Sequence, residues 1–320
     1  MLRLAAFALL SVATAQAASA RSPEAGFEQI ATTDGIELGV WYPTSGTPSL
    51  APIGLTSQTV VVGTGPEPGA HPLVVMSHGT GGDFAGHADT AVALARAGFV
   101  VAALTHPGDN WRDNSRATRV EERPAALGVL ITWMLASWSG RATIDPERIG
   151  AFGFSAGGFT VLAAAGGRPE LSRVADYCAG HPETFVCTLV RSAPLRSAEP
   201  WPEAADARIK AIVVAAPAVG FAFDRAGLSP VRVPVQLWRA DDDQILPAPD
   251  YADAVAAALP RPAEFHAMPD AGHFDFLAPC RDPSTAPDLC GSAAGFDRVA
   301  FHDRFNAEIV RFFSAELAAP

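Results

Sequence analysis

Gly153-Phe154-Ser155-Ala156-Gly157-Gly158 follows one apolar run and leads directly into a second of helical length. Strand, sharp turn and helix is the context in which Gly-x-Ser-x-Gly presents a serine hydroxyl as a nucleophile elbow. The pattern alone is weak, and the context gives it meaning. The turn should hold Ser155 in a strained backbone conformation, and side chains at 153 and 157 would collide with the neighbouring strand and helix. A helix N-terminus behind the hydroxyl favours negative charge developing beside it.

A serine hydroxyl needs a base, and the base needs an orienting carboxylate. Both occur downstream, in Asp241-Asp242-Asp243-Gln244-Ile245-Leu246-Pro247 and in Pro269-Asp270-Ala271-Gly272-His273-Phe274. The chain order is then Ser155, an Asp, His273, as this architecture requires. Asp243 is the expected acid, because it lies one turn past a strand end and is followed by an apolar anchor and a proline. Asp241 is the alternative, and Asp224 a more distant one; at least two of the three adjacent aspartates should belong to a solvated loop. The fourth component is Ser77-His78-Gly79-Thr80-Gly81-Gly82, directly after a strand. Such a turn can aim backbone N–H groups at a reacting carbonyl oxygen, with Thr80 and Ala156 as the expected oxyanion donors. It lacks the spacing and the Gly-Lys-Ser/Thr of a phosphate loop. Phe84, His106, Trp111 and Phe274 are candidate pocket walls. His266, inside a strand, and His302, inside a helix, read as packing or surface residues.

These residues need a scaffold that brings strand ends together. Short β-branched runs at 36–42, 59–62, 73–77, 100–104, 148–154, 211–215, 235–239 and 264–268 alternate with helical stretches at 89–97, 123–138, 156–165 and 251–259. A closing helix, 301–317, carries Phe301, Phe305, Ile309, Phe312 and Phe313 at helical spacing. The alternation predicts an α/β fold with a mostly parallel sheet covered on both faces by helices. Residues 168–207 break it with prolines, charges and a cysteine pair. They are expected to form an inserted, partly helical segment over the sheet edge within a single domain, 21–320.

With 320 residues, 49% hydrophobic and 18% charged, the chain can bury a large core. Its formal charge of −11, with no basic run, argues against nucleic acid or an anionic membrane as partner. Residues 1–20 combine Arg3, an apolar run from Leu4 to Leu10 and the ending Ala18-Ser19-Ala20, the signature of a secretory signal peptide. No other stretch approaches a membrane span. The expected location is therefore periplasmic or extracellular. Export permits disulfides, and the short, polar intervals favour Cys178 with Cys187 and Cys280 with Cys290. No Cys-x-x-Cys or histidine-rich cluster suggests a metal, and no cofactor is implied.

Trp41-Tyr42-Pro43, the run from Pro72 to Gly79, Thr105-His106-Pro107-Gly108, the Ser155 motif and the run from Ala271 to Leu277 together resemble the α/β-hydrolase superfamily. Within it they look like the exported "predicted dienelactone hydrolase" branch, akin to platelet-activating-factor acetylhydrolase-like and cutinase-like esterases. The resemblance implies a serine esterase acting on a small-molecule ester. Position 155 departs from true dienelactone hydrolases, which use a cysteine nucleophile. Platelet-activating-factor acetylhydrolases place their acid after the preceding strand, where Asp224 lies. Alternatives within the same architecture are cleavage of a thioester, lactone, amide or polyester, or binding without turnover.

Overall fold

The computed structural model describes residues 22–33, 35–195 and 201–319. The expected signal peptide and residues 196–200 of the expected insertion lie outside them. The strands are β1 (Glu24–Ala31), β2 (Glu37–Thr44), β3 (Ser49–Ile53), β4 (Thr56–Val62), β5 (His71–Ser77), β6 (Val100–Leu104), β7 (Ile144–Phe154), β8 (Ile209–Ala215), β9 (Val235–Ala240) and β10 (Glu264–Met268). The helices are α1 (Ala88–Arg96), α2 (Glu122–Ala136), α3 (Ala156–Ala164), α4 (Arg173–Gly180), α5 (Phe185–Ser192), α6 (Arg225–Leu228), α7 (Ala252–Ala258), α8 (Pro287–Cys290) and α9 (Arg298–Glu316).

Ten strands form one sheet in the order β10-β9-β8-β7-β5-β6-β2-β1-β4-β3. From β6 to β10 all neighbours are parallel, whereas β2 runs antiparallel to both β6 and β1. Leu73, Val74, Val75 and Met76 of β5 and all five residues of β6 are buried, as strands covered on both faces must be. One face packs on α2, α3 and α7 through Leu127, Ile131, Leu162 and Val255. The other packs on α1 and α9, and the whole expected stripe of α9, from Phe301 to Phe313, is buried there. This is the α/β-hydrolase fold. Its consequence for function is geometric: β5, β7, β8, β9 and β10 end on the same edge, so the segments that follow them converge.

Two strands escape a reading of the sequence. In β1 the buried positions cluster at the start, from Ala25 to Phe27, and the rest is half-buried or exposed, and β3 is a largely exposed hairpin arm containing Pro52.

Candidate active site

Ser155 sits where β7 turns into α3, with φ 55° and ψ −118°. A non-glycine residue holds such angles only when its surroundings dictate them. Here they do: the Ser155 N–H donates to the Ala215 carbonyl at 2.9 Å, and its own carbonyl accepts the Ala218 N–H at 2.9 Å. The flanking glycines are compulsory. A Cβ at Gly153 would lie 2.0 Å from the Gly157 carbonyl oxygen, and one at Gly157 would lie 1.8 Å from that of Ser77.

His273 opens a short turn after β10, and Asp243 lies in the loop after β9. Asp243 Oδ2 is 2.8 Å from His273 Nδ1, and His273 Nε2 is 3.1 Å from Ser155 Oγ. The remaining oxygen of Asp243, Oδ1, accepts the N–H groups of Ile245 and Leu246 at 2.9 and 2.7 Å, so the carboxylate cannot rotate without losing both. A carboxylate can only accept, which places the imidazole proton on Nδ1 and leaves the Nε2 lone pair facing the serine O–H. All three side chains are buried. The two loops are also joined to each other, since the Asp242 N–H donates to the Ala271 carbonyl at 3.0 Å.

The other two candidate acids are engaged elsewhere. Asp241 pairs with Arg239 at 2.7 Å, and Asp224 caps α6 and pairs with Arg173 at 2.9 Å.

Thr80 and Ala156 line one narrow cavity together with Ser155. The Ala156 N–H is the first of α3 and has no partner within its helix. Gly79 closes on the elbow so tightly that a Cβ there would meet Ser155 Cβ at 3.1 Å. The loop bearing Thr80 is anchored from below. His78 Nδ1–H donates to the Gly79 carbonyl at 2.6 Å, while its Nε2 accepts the His106 N–H at 2.9 Å. Burial, reinforced by the Arg123 charge, pushes the His78 pKa down to about 3, so the ring is neutral and can keep that acceptor.

The cavity at Ser155 holds about 40 Å3 and is apolar apart from Thr80, Thr118 and the serine. Phe159, Ala218, Val219 and Leu246 form its walls, and Phe185, Val186, Leu189 and Val190 of α5 form its ceiling. Within the segment expected over the sheet edge, α5 therefore lies over the cavity at Ser155. Cys178–Cys187 joins α4 to α5, and Cys280–Cys290 closes the loop after His273. Beside His273 on its other flank is an open cleft of about 750 Å3, lined by Phe274 and by residues of the Asp243 and Cys280–Cys290 loops.

The expected pocket walls need correction. Phe84 is buried in the core against Trp41, with ring centroids 6.3 Å apart, and does not reach the cavity. His106 is buried beneath the Thr80 loop, with Nε2 2.8 Å from Ser77 Oγ. Trp111 is 60% exposed and lines a different apolar groove, of about 400 Å3, with Gly82 and Leu277. Only Phe274, of the four, borders a cleft containing His273.

Two buried ion pairs that the sequence does not announce brace these loops. Arg123 at the start of α2 meets Asp109, and Arg298 at the start of α9 meets Asp275, whose Oδ2 accepts the Gly272 N–H next to His273. Asp109 directly follows the Thr105-Gly108 motif at the end of β6, and that position was the available signal. Among the described residues, Glu264, His266 and Glu308 bring ligand atoms within 4.8 Å of one another. Glu264 is already bound by Gln236, His266 and Arg311, and the group lies at the sheet's edge strand.

Two comparisons bear on this geometry. Residues 86–181, under a third of the chain, match the prolyl oligopeptidase family. The matched stretch contains Ser155 but neither Asp243 nor His273. The chain is also similar to "Putative esterase NocK" of Nocardia uniformis subsp. tsuyamanensis, 28% identical over 106 residues that cover 32% of this chain and 31% of that protein. With the fold, these similarities support a serine hydrolase. Among the described residues no helix is long and apolar enough to cross a membrane.

Proposed function

We propose that the protein is an exported serine hydrolase that cleaves carboxylic esters of short-chain acids. The observation that carries the reading is the hydrogen-bonded chain from Ser155 through His273 to Asp243, with Thr80 and Ala156 lining the same cavity as the serine. Ser155 Oγ attacks the ester carbonyl as His273 Nε2 takes its proton, and the imidazolium is stabilised by Asp243. The negative oxygen that forms is held by the Thr80 and Ala156 N–H groups. His273 returns the proton to the departing alkoxide, which leaves through the open cleft beside Phe274, and the acyl group remains on Ser155. Water, deprotonated by His273, then releases the acid. The acyl group enters the cavity under α5, whose size favours short chains and whose lining offers a charged group no partner.

Export is supported by the leader-like residues 1–20 and by the two disulfides, which persist in oxidising compartments. The proposed mature chain begins near Arg21, and its intact mass from an exporting host checks this.

The similarity to the prolyl oligopeptidase family favours a second reading, cleavage of peptide bonds through the same acyl-enzyme. Matched ester and anilide substrates separate the two: faster turnover of the anilide would favour the peptidase. The test of the shared chemistry is Ser155→Ala, which should abolish turnover and leave the thermal melt close to that of the parent. Retained turnover would reject the assignment.

A further inference from the structure

We propose that Arg123, together with Asp109, is a positioning residue that fixes the two oxyanion amides, those of Thr80 and Ala156, relative to one another. The inference rests on the serine-hydrolase reading and adds a residue that the Ser-His-Asp constellation does not require.

Both side chains are 3% exposed, and Arg123 Nη1 donates to Asp109 Oδ2 at 2.5 Å. The other oxygen of Asp109 accepts the Gly81 N–H at 2.9 Å. Arg123 Nη2 donates to the His78 carbonyl oxygen. Backbone groups on both sides of Thr80 therefore end on the same ion pair. The third edge of the guanidinium faces the nucleophile helix: Nε donates to Thr160 Oγ1 at 3.0 Å, and the Thr160 hydroxyl donates to the Ala156 carbonyl at 2.7 Å. One planar fork thus ties the loop after β5 to the first turn of α3, and the two segments carry one proposed donor each.

The arrangement makes sense for catalysis and little sense for stability. A buried ion pair gains little over well-packed apolar residues, because both ions must be desolvated. What the fork supplies is geometry: five donors in a rigid plane fix the segments they bind, which a flexible ammonium cannot do. Oxyanion donors stabilise the transition state only at about 2.7–3.1 Å from the developing charge. Backbone donors cannot be tuned by their own side chains, so whatever holds their peptide planes sets the rate.

The test uses the full mature chain with p-nitrophenyl acetate, below the melting temperature of every variant. Arg123→Met should lower kcat about 10²- to 10³-fold, the usual effect of losing one oxyanion donor, while KM moves less than about threefold. Arg123→Lys keeps a charge for Asp109 but loses the fork, and should still lose about tenfold or more in kcat. It serves as the test if the methionine variant does not fold. Arg148→Met is the control for a purely structural loss. Arg148 holds Asp145 and the Leu317 carbonyl near the start of β7, at the opposite end from Ser155, and its loss should cost stability with kcat within about threefold of the parent. A folded Arg123 variant with parental kcat, or a loss no larger than that of Arg148→Met, would overturn the proposal alone. A parent protein with no Ser155-dependent turnover would overturn the underlying reading as well.

Discussion

Leu189→Ala offers the sharpest test of whether α5 limits the acyl group that the proposed esterase accepts. Leu189 hangs from α5 into the ceiling of the 40 Å3 cavity that Ser155, Thr80 and Ala156 close at the other end. One small atom group occupies roughly 10–15 Å3 of such a volume, so the cavity accepts about three heavy atoms, the chain of a propionate or butyrate. A longer acyl chain must displace α5, and overpacking of this kind costs typically 1–3 kcal/mol. The ceiling resists displacement because the Cys178–Cys187 bridge holds it and Cys187 is fully buried. Truncation to alanine removes three carbons. If the space admits three more methylenes at about 0.8 kcal/mol each, kcat/KM for an octanoate ester should rise up to about 50-fold. Acetate, which never reaches Leu189, should change less than about threefold. The assay is kcat/KM on p-nitrophenyl esters from acetate to dodecanoate for parent and variant. A parent that hydrolyses dodecanoate as fast as acetate, or a variant with an unchanged profile, would show that α5 does not limit the acyl chain.

In Asp243→Asn the carboxamide oxygen should keep the Ile245 and Leu246 N–H bonds and turn its NH2 toward His273, forcing the imidazole proton onto Nε2. Steady-state kinetics should show kcat down by about 10⁴, with Asp241→Asn and Asp224→Asn near parental, and a mild effect at 243 would reassign the acid. Reducing Cys280–Cys290, which closes a loop across a separation of 10 residues, should cost about 3 kcal/mol. Unchanged melting of a Cys280→Ser/Cys290→Ser variant would contradict this. Burial, reinforced by the neighbouring His302 charge, pushes His87 down to about 3 against the pull of the Asp89 carboxylate. The unfolded chain therefore takes up a proton below about pH 6.5 that the folded chain refuses, and stability falls as pH drops from there toward 3, by up to about 1.4 kcal/mol per pH unit. His87→Leu should make that acid limb shallower in melts from pH 7.5 to 5, with His78, pushed down in the same way, still contributing, and a slope equal to the parent's would refute the assignment.

The elements that position the candidate triad are legible because their signals are local. The runs at 73–77, 148–154 and 235–239 are predominantly apolar, as doubly covered strands are, and Ser155 follows the second directly; His273 comes shortly after the half-exposed edge strand β10, where the Ala-Gly-His turn is the local signal. Placement relative to Pro247 favours Asp243 over Asp241 in the sequence, and the contacts distinguish them: two backbone N–H groups hold the Asp243 carboxylate, while Arg239 pairs with Asp241. Pocket walls were poorly legible, because whether an aromatic such as Phe84 faces a cavity or the core depends on which helix lies opposite. Arg123 carried no signal as a buried residue. An arginine in the first turn of a helix is ordinarily solvated, and only the approach of Asp109, His78 and Thr160 from three other segments makes it internal.

Ser155, the proposed nucleophile of a preorganised acyl-transfer site, is open to direct chemical interrogation. Labelling of the folded protein with a fluorophosphonate probe, followed by peptide mass mapping, tests that role most directly. One probe per chain on Ser155, absent in Ser155→Ala and competed by a short-chain ester, is the predicted result. Folded protein that takes up no probe, or takes it up at another serine, would contradict that role.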